Sequence, residues 1–207
     1  MAQLIQQAIN SGVSAETIAL VLLFPLFAGL IAAARHLLGL TGFGIFVPGL
    51  LAAAFTVTGL KSGLILLVII WLSAWFGRKL TKKLKLQYLP RLALVIWLAA
   101  VAVLTLLLSG TAAAAVAAIP VLILLVSAEH FLEVLTGKSR HEAGRILLQT
   151  LAASASGAVL LRSSVIQGLT LQYPEICLLA AAGLNIFTGR YTGLRLLEMW
   201  KFRKLIK

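Results

Sequence analysis

The stretch Thr17–Ala34 reads TIALVLLFPLFAGLIAAA, carries no charge, and stops at Arg35-His36. About 20 mostly apolar residues, with about 17 tolerated, suffice to cross the hydrocarbon core of a bilayer as a helix. Working outward, six more runs fit the same reading. They are Phe43–Thr58, Gly59–Phe76 (closed by Gly77-Arg78-Lys79), Leu92–Leu108, Ala112–Ala128 (closed by Glu129), Ile146–Leu161 and Tyr173–Phe187. The predicted fold class is therefore all-α, a polytopic membrane protein of about seven spans. Residues 1–16 form a short external tail, 17–188 the helical domain and 189–207 a basic amphipathic tail.

Composition agrees. The 207 residues are 61% hydrophobic and 12% charged, where soluble domains are about half apolar and about a quarter charged. Mean hydropathy is +1.04. The net charge of +12 would suggest nucleic acid in a soluble chain. Here the cations sit in short connections between apolar runs, so lipid headgroups account for them and a nucleic-acid partner is not expected. A single thiol, Cys177, forms no internal disulfide and belongs to no zinc spacing. The first 17 residues contain no Lys or Arg, so the basic start of a signal peptide is missing and the first apolar run reads as a retained anchor.

The distribution of cations tests the span count. With seven crossings, sixteen of the eighteen Lys and Arg fall on one side, and Lys61 and Arg162 alone fall on the other. Positively charged connections stay in the cytoplasm, which predicts the N-terminus outside and the C-terminus inside. The weakest span is the second, because Gly39, Gly42, Gly44, Pro48 and Gly49 crowd its start. It crosses fully, or it is re-entrant, or it forms a shallow hairpin with the third span. Pro90 and Pro174 stand near helix starts, where a missing N–H costs nothing. Pro25, Pro48 and Pro120 fall inside apolar runs and are expected to kink or break them. The small residues of Leu151–Ala158 suit close helix packing, with a polar pore lining as the alternative.

Three constellations could carry chemistry. Arg35 followed by the Gly-rich stretch to Leu50 can present backbone N–H groups to an anion; otherwise it is a tight helical hairpin whose Arg reaches headgroups. Glu129, His130 and Glu133 fall in the predicted fifth connection, with 129 and 133 one helical turn apart. They could act in proton transfer or partner binding, or mark a solvated helix end. Arg140-His141-Glu142 reads as a charged loop. The stretch Gly189–Arg203 alternates basic and apolar residues and reads as an amphipathic helix on the inner leaflet. The chain has no Asp, and none of the standard hydrolase, phosphate-loop or zinc motifs is present. No catalytic residues, metal ligands or cofactors are assigned.

Several of these stretches together resemble a bacterial family in which seven transmembrane helices are fused to an inactive transglutaminase. The matching residues are Arg35 with Leu37-Leu38-Gly39-Leu40 and Phe43-Gly44-Ile45-Phe46, then Pro48. Further matches are Tyr88–Ala93, Glu129 with Phe131, Pro174-Glu175, and Gly189–Gly193 with Arg195, Leu196, Glu198, Phe202 and Arg203. The departure is His130, where the family pattern favours Arg. The resemblance implies the seven-helix unit without its periplasmic domain, in an orientation that agrees with the charge count. Val47-Pro48-Gly49 is also similar to the small membrane subunit of poly-gamma-glutamate capsule synthesis. Both relatives imply a cytoplasmic ATP-dependent amino-acid or peptide ligase as partner, of the ATP-grasp type in the first and the Mur-ligase type in the second. Carried over to this chain, the ligand-binding positions are Arg35, Arg91, Glu129, Arg190, Tyr191 and Glu198.

The reading that follows is a non-enzymatic subunit of the bacterial inner membrane. It binds a ligase through its basic loops and tail and holds or passes an anionic, poly-glutamate-type product. Arg35, Arg91 and Arg190 would attract carboxylates, while Glu129 and Glu198 would pair with them. Its partners would be the bilayer, the ligase and, in a homo-oligomer, a second copy. The alternatives are a small-solute transporter or channel acting alone and, last, a membrane transferase using His130 or Glu129.

Overall fold

The computed structural model describes residues 2–84, 87–108 and 118–191. Its elements are α1 (Ala2–Asn10), α2 (Ala15–Leu38), α3 (Phe46–Thr58), α4 (Leu60–Thr81), a 3-10 turn (Lys82–Leu84), α5 (Tyr88–Leu108), α6 (Ala118–Gly137), α7 (Arg140–Arg162), α8 (Ser164–Gln172) and α9 (Pro174–Arg190). There is no strand among the described residues. Helices α2, α4, α5, α6 and α7 are each long and apolar enough to cross a bilayer. Helices α8 and α9 make a bent pair, turned by 102° at their junction, that passes the same test together.

Local signals set the ends. The Ser14 side chain caps α2 by accepting from Thr17 N at 3.3 Å, and Ser139 caps α7 by accepting from Glu142 N at 3.3 Å. Gly39 closes α2 in the left-handed conformation at φ 71°, its N–H bonded to Arg35 O at 3.0 Å. Pro174 opens α9 in its first turn, as expected.

Charged residues end helices less sharply than predicted. Helix α6 runs through Glu129, His130 and Glu133 to Gly137, so these three lie on a helix and not in a connection. Arg140-His141-Glu142 is the first turn of α7 and not a loop. A helix satisfies its own backbone, so a charged side chain near the bilayer surface gives no reason to stop. Two short helices, α1 and α8, occupy stretches predicted as tail and connection, and at nine residues each they are too short to span. Helix α2 continues through Pro25 as one element. The predicted start of the fifth span at Ala112 and the amphipathic stretch beyond Tyr191 lie outside the described residues.

Helix α3 is the hub. It packs most extensively on α7, and also on α6, α4 and α2. Phe55, Leu66, Leu67, Ile70 and Leu124 are sealed between α3, α4 and α6. On the other flank, Leu23, Phe27 and Ile31 of α2 meet Ala52 of α3 and Leu161 of α7. Small residues set the closest approaches. A Cβ on Gly157 would collide with the Phe27 ring, and one on Gly29 would lie 3.1 Å from Asn185 of α9. In lipid, where apolar burial gives helices little reason to associate, such close packing is what holds them together. Outward-facing residues such as Leu72, Trp97, Ile119 and Leu179 are large, apolar and 60–72% exposed, which suits lipid and not water.

The segment read as the second span runs alongside its neighbours but is only half helical. At about 1.5 Å per residue, the 13 residues of α3 span roughly 20 Å, short of a core of about 30 Å. The missing depth is supplied by residues 39–45, which are not helical. Phe43 bonds to Thr150, ten residues into α7, and packs on Trp71, ten residues before the end of α4. Both helices put it roughly 15 Å below the same end of the bundle. The chain thus descends as a strap from Gly39 to Ile45 and continues as α3 towards the other end of the bundle. The tight helical hairpin expected as one option does not form.

Candidate functional site

Irregular backbone at membrane depth is tolerated only where protein or water satisfies it. In the strap, α7 does this. Thr41 N and Thr41 Oγ1 both donate to Gln149 Oε1, at 2.7 and 3.0 Å. Phe43 N donates to Thr150 Oγ1 at 2.9 Å, and that hydroxyl donates in turn to Ile146 O at 2.9 Å. The glycine between them suits a close approach, because a Cβ on Gly42 would sit 3.2 Å from Thr150 Oγ1 and the hydroxyl would have to give by a few tenths of an ångström. Two of the N–H groups expected to face an anion are therefore already engaged inside the bundle.

Phe43 anchors the strap. Its ring meets Trp71 edge-on at 6.3 Å, and Trp71 stacks on Phe131 of α6 at 5.2 Å. Such aromatic pairs add about 0.5–1.5 kcal/mol each beyond burial. Trp71 Nε1 donates to Ser127 Oγ at 3.3 Å, so the indole's only polar group is satisfied. His130 lies 6.2 Å from Phe43, and its Nδ1 is buried without a partner.

The strap separates two cavities. On one side is a polar cavity of about 640 Å³, reached by Arg35, His36, His130, Glu133, Lys138 and Glu142. On the other is an apolar cavity of about 460 Å³ among Phe27, Ile31, Pro48, Thr150, Ala153 and Leu160. Arg35, Gly42, Phe43 and Gly44 line both. Lys138 pairs with Glu142 at 3.1 Å. Arg35 has no carboxylate partner among the described residues, which leaves it as the cation shared by the two spaces. The small residues Leu151–Ala158 serve mainly as packing, with Ser154 and Gly157 buried, while Ala152, Ala153 and Ser156 face the apolar cavity.

The sequence-derived positions divide. Arg35, Gly39, Gly42 and Gly44 meet at the polar cavity. Pro48 lines the apolar one, and Gly49 is buried against Phe24. Arg91 stands apart, in the first turn of α5, where it donates to Thr81 Oγ1 at 3.2 Å and to Arg78 O at 3.4 Å. It ties α5 to the end of α4. Glu129, on α6, lines neither cavity and forms no ion pair with an arginine among the described residues. Arg190 ends α9, exposed, and Tyr191 caps that helix. Because Cys177 meets Leu22 and Asn185 faces Gly29, α2 and α9 run parallel, so Arg190 and Arg35 fall at the same end. Glu198 lies outside the described residues. Sequence reasoning missed Gln149 and Thr150. Two polar residues in the middle of an apolar span were the available signal, since such groups in lipid demand partners.

A bundle of apolar helices, one of them replaced for half its length by a pinned strap, defines a multi-pass membrane protein. The model of the family described as seven transmembrane helices usually fused to an inactive transglutaminase matches residues 7–206. The chain belongs to that family. No curated protein and no solved structure matches it.

Proposed function

We propose that this protein is a non-enzymatic subunit of the bacterial inner membrane that serves a cytoplasmic ATP-dependent amino-acid or peptide ligase. Its basic end faces the cytoplasm and holds or passes an anionic, peptide-like product of poly-glutamate type. The observation that carries this reading is Arg35, which has no carboxylate partner among the described residues and lies between a polar and an apolar cavity. A guanidinium is the side chain best suited to carboxylate, through paired N–H donors. The concentration of cations at one end of the bundle favours both the orientation and an acidic cargo.

Affinity purification in mild detergent, followed by identification of co-purifying proteins, tests the partnership. Arg35→Ala is expected to abolish product accumulation while membrane insertion and protein abundance stay normal; unchanged product levels refute the site. Labelling of residues 78–91 from outside intact cells would overturn the orientation.

One observation favours a second reading, a small-solute transporter acting alone. Discontinuous helices near the midplane are the usual binding device of secondary transporters, and the strap with α3 is such a helix. Solute flux by the purified protein in liposomes without a partner would select this reading over the first.

A further inference from the structure

We propose that a second site, on the α4–α6 face, binds one anionic phospholipid with its headgroup in a basic cavity and an acyl chain in the adjoining groove. Of its lining residues only Lys138 also reaches the Arg35 cavity, and the site does not rest on the function proposed above. Trp75, Arg78, Lys79 and Lys82 recur at helical spacing along the end of α4 and the turn that follows it. Lys138 and Arg140, either side of the Ser139 cap, approach from the α6–α7 turn. Together they line a cavity of about 630 Å³, within the range of roughly 300–1,000 Å³ typical of small-molecule sites. Among the described residues no carboxylate lines it.

The cations are only partly engaged. Arg78 Nη1 donates to Leu135 O at 2.8 Å, but its Nε is buried and has no acceptor. Lys79 Nζ lies 4.1 Å over the Trp75 ring, which holds the ammonium at the cavity mouth. Lys138 shares its charge with Glu142. Five cations converging on one space need an anion of more than one contact, and phosphate esters meet that need.

What distinguishes a lipid from a soluble phosphate is the continuation of the same face. Below Trp75, the residues Val68, Trp71 and Leu72 of α4 and Phe131 of α6 line an apolar groove of about 340 Å³. Trp75 belongs to both spaces. Val68, Leu72 and Trp75 are 45%, 60% and 44% exposed, so the groove opens sideways towards lipid. From Trp75 to Val68 the groove descends roughly 10 Å. A basic cavity at the surface over an apolar groove at depth matches an acidic headgroup joined to a hydrocarbon chain.

The test uses the full chain reconstituted in phosphatidylcholine vesicles, with tryptophan fluorescence quenched by lipids carrying brominated acyl chains. Brominated phosphatidylglycerol is expected to quench saturably at a low mole fraction, whereas brominated phosphatidylcholine quenches in proportion to its amount. Trp75→Phe should remove most of the saturable component. Each of Lys82→Gln and Arg140→Gln should weaken the apparent affinity by about fivefold, as a surface cation is worth near an acidic bilayer. Lys82 and Arg140 are exposed helix-end residues, so these single variants keep the fold. Equal quenching by the two lipids would leave only annular contact and overturn the proposal. So would unchanged affinity in both variants, or displacement of the saturable component by millimolar inorganic phosphate, which would mark a free-phosphate site instead.

Discussion

Among the described residues, two of the breaks between helices are held in opposite ways. Between α8 and α9 the chain turns by 102°. There Tyr173 N bonds to Leu169 O at 2.9 Å, Cys177 N bonds to Tyr173 O at 3.2 Å, and Pro174 has no N–H to satisfy. Every partner lies within four residues. Between α2 and α3, the strap finds its partners in Gln149 and Thr150, 108 and 107 residues away. The first break is local chemistry. The second exists only because α7 is there to receive it. A break made by local groups needs no neighbour to form, whereas one made by distant groups depends on the helix that receives it and can line a cavity beside it.

The comparison can be broken at several points, beginning with the largest expected effect. Trp71→Ala removes the ring between Phe43 and Phe131 and should lower stability by about 3 kcal/mol. That is the low end for a buried aromatic, because lipid supplies less of the transfer term. Unfolding of the detergent-purified protein in a titration with denaturing detergent reads this. Thr150→Val keeps the shape but orphans the Phe43 N–H, and should cost about 1–3 kcal/mol. Thr150→Ser should restore most of it. In hydrogen exchange, the Phe43 amide is expected to lose protection in the valine variant alone.

Gln149→Leu removes the acceptor of Thr41 at the more exposed end of the strap, and about 0.5–1.5 kcal/mol is expected. The polar cavity should then label faster at a cysteine placed at residue 41. Tyr173→Leu, at the other break, should change stability by about 0.5 kcal/mol or less, with the corner intact, since Pro174 and the local hydrogen bonds remain. If Thr150→Val costs no more than Tyr173→Leu, the strap is not held by α7, and the contrast between the two breaks fails.

The strap was only partly legible in advance. Gly39, Gly42, Gly44 and Pro48 announced a disturbed second span, but the same residues suit a re-entrant loop, a hairpin or a full crossing. Glycine permits a backbone path without specifying one. Arg35 was recognised as a candidate, and its cavity required the strap to exist. Arg91 looked equivalent to Arg35 by charge and position near a helix end. In the fold it is spent on Thr81 and Arg78 O. In the sequence alone Glu129 and His130 read as connection residues, because charge after an apolar run suggests a stop. Helix α6 instead carries them onward and turns His130 towards Phe43.

What the sequence determined by itself was the solvent, the helical class and the end of the bundle where the cations gather. Those follow from summed side-chain transfer energies and from the need of a backbone in lipid to bond within its own segment, and neither depends on which helix neighbours which. Tertiary structure decided where the second crossing unwinds and which cations remain unpaired. The Phe43 N–H and the Thr150 hydroxyl become partners only when α3 and α7 lie side by side, and nothing local encodes that meeting across a separation of 107 residues.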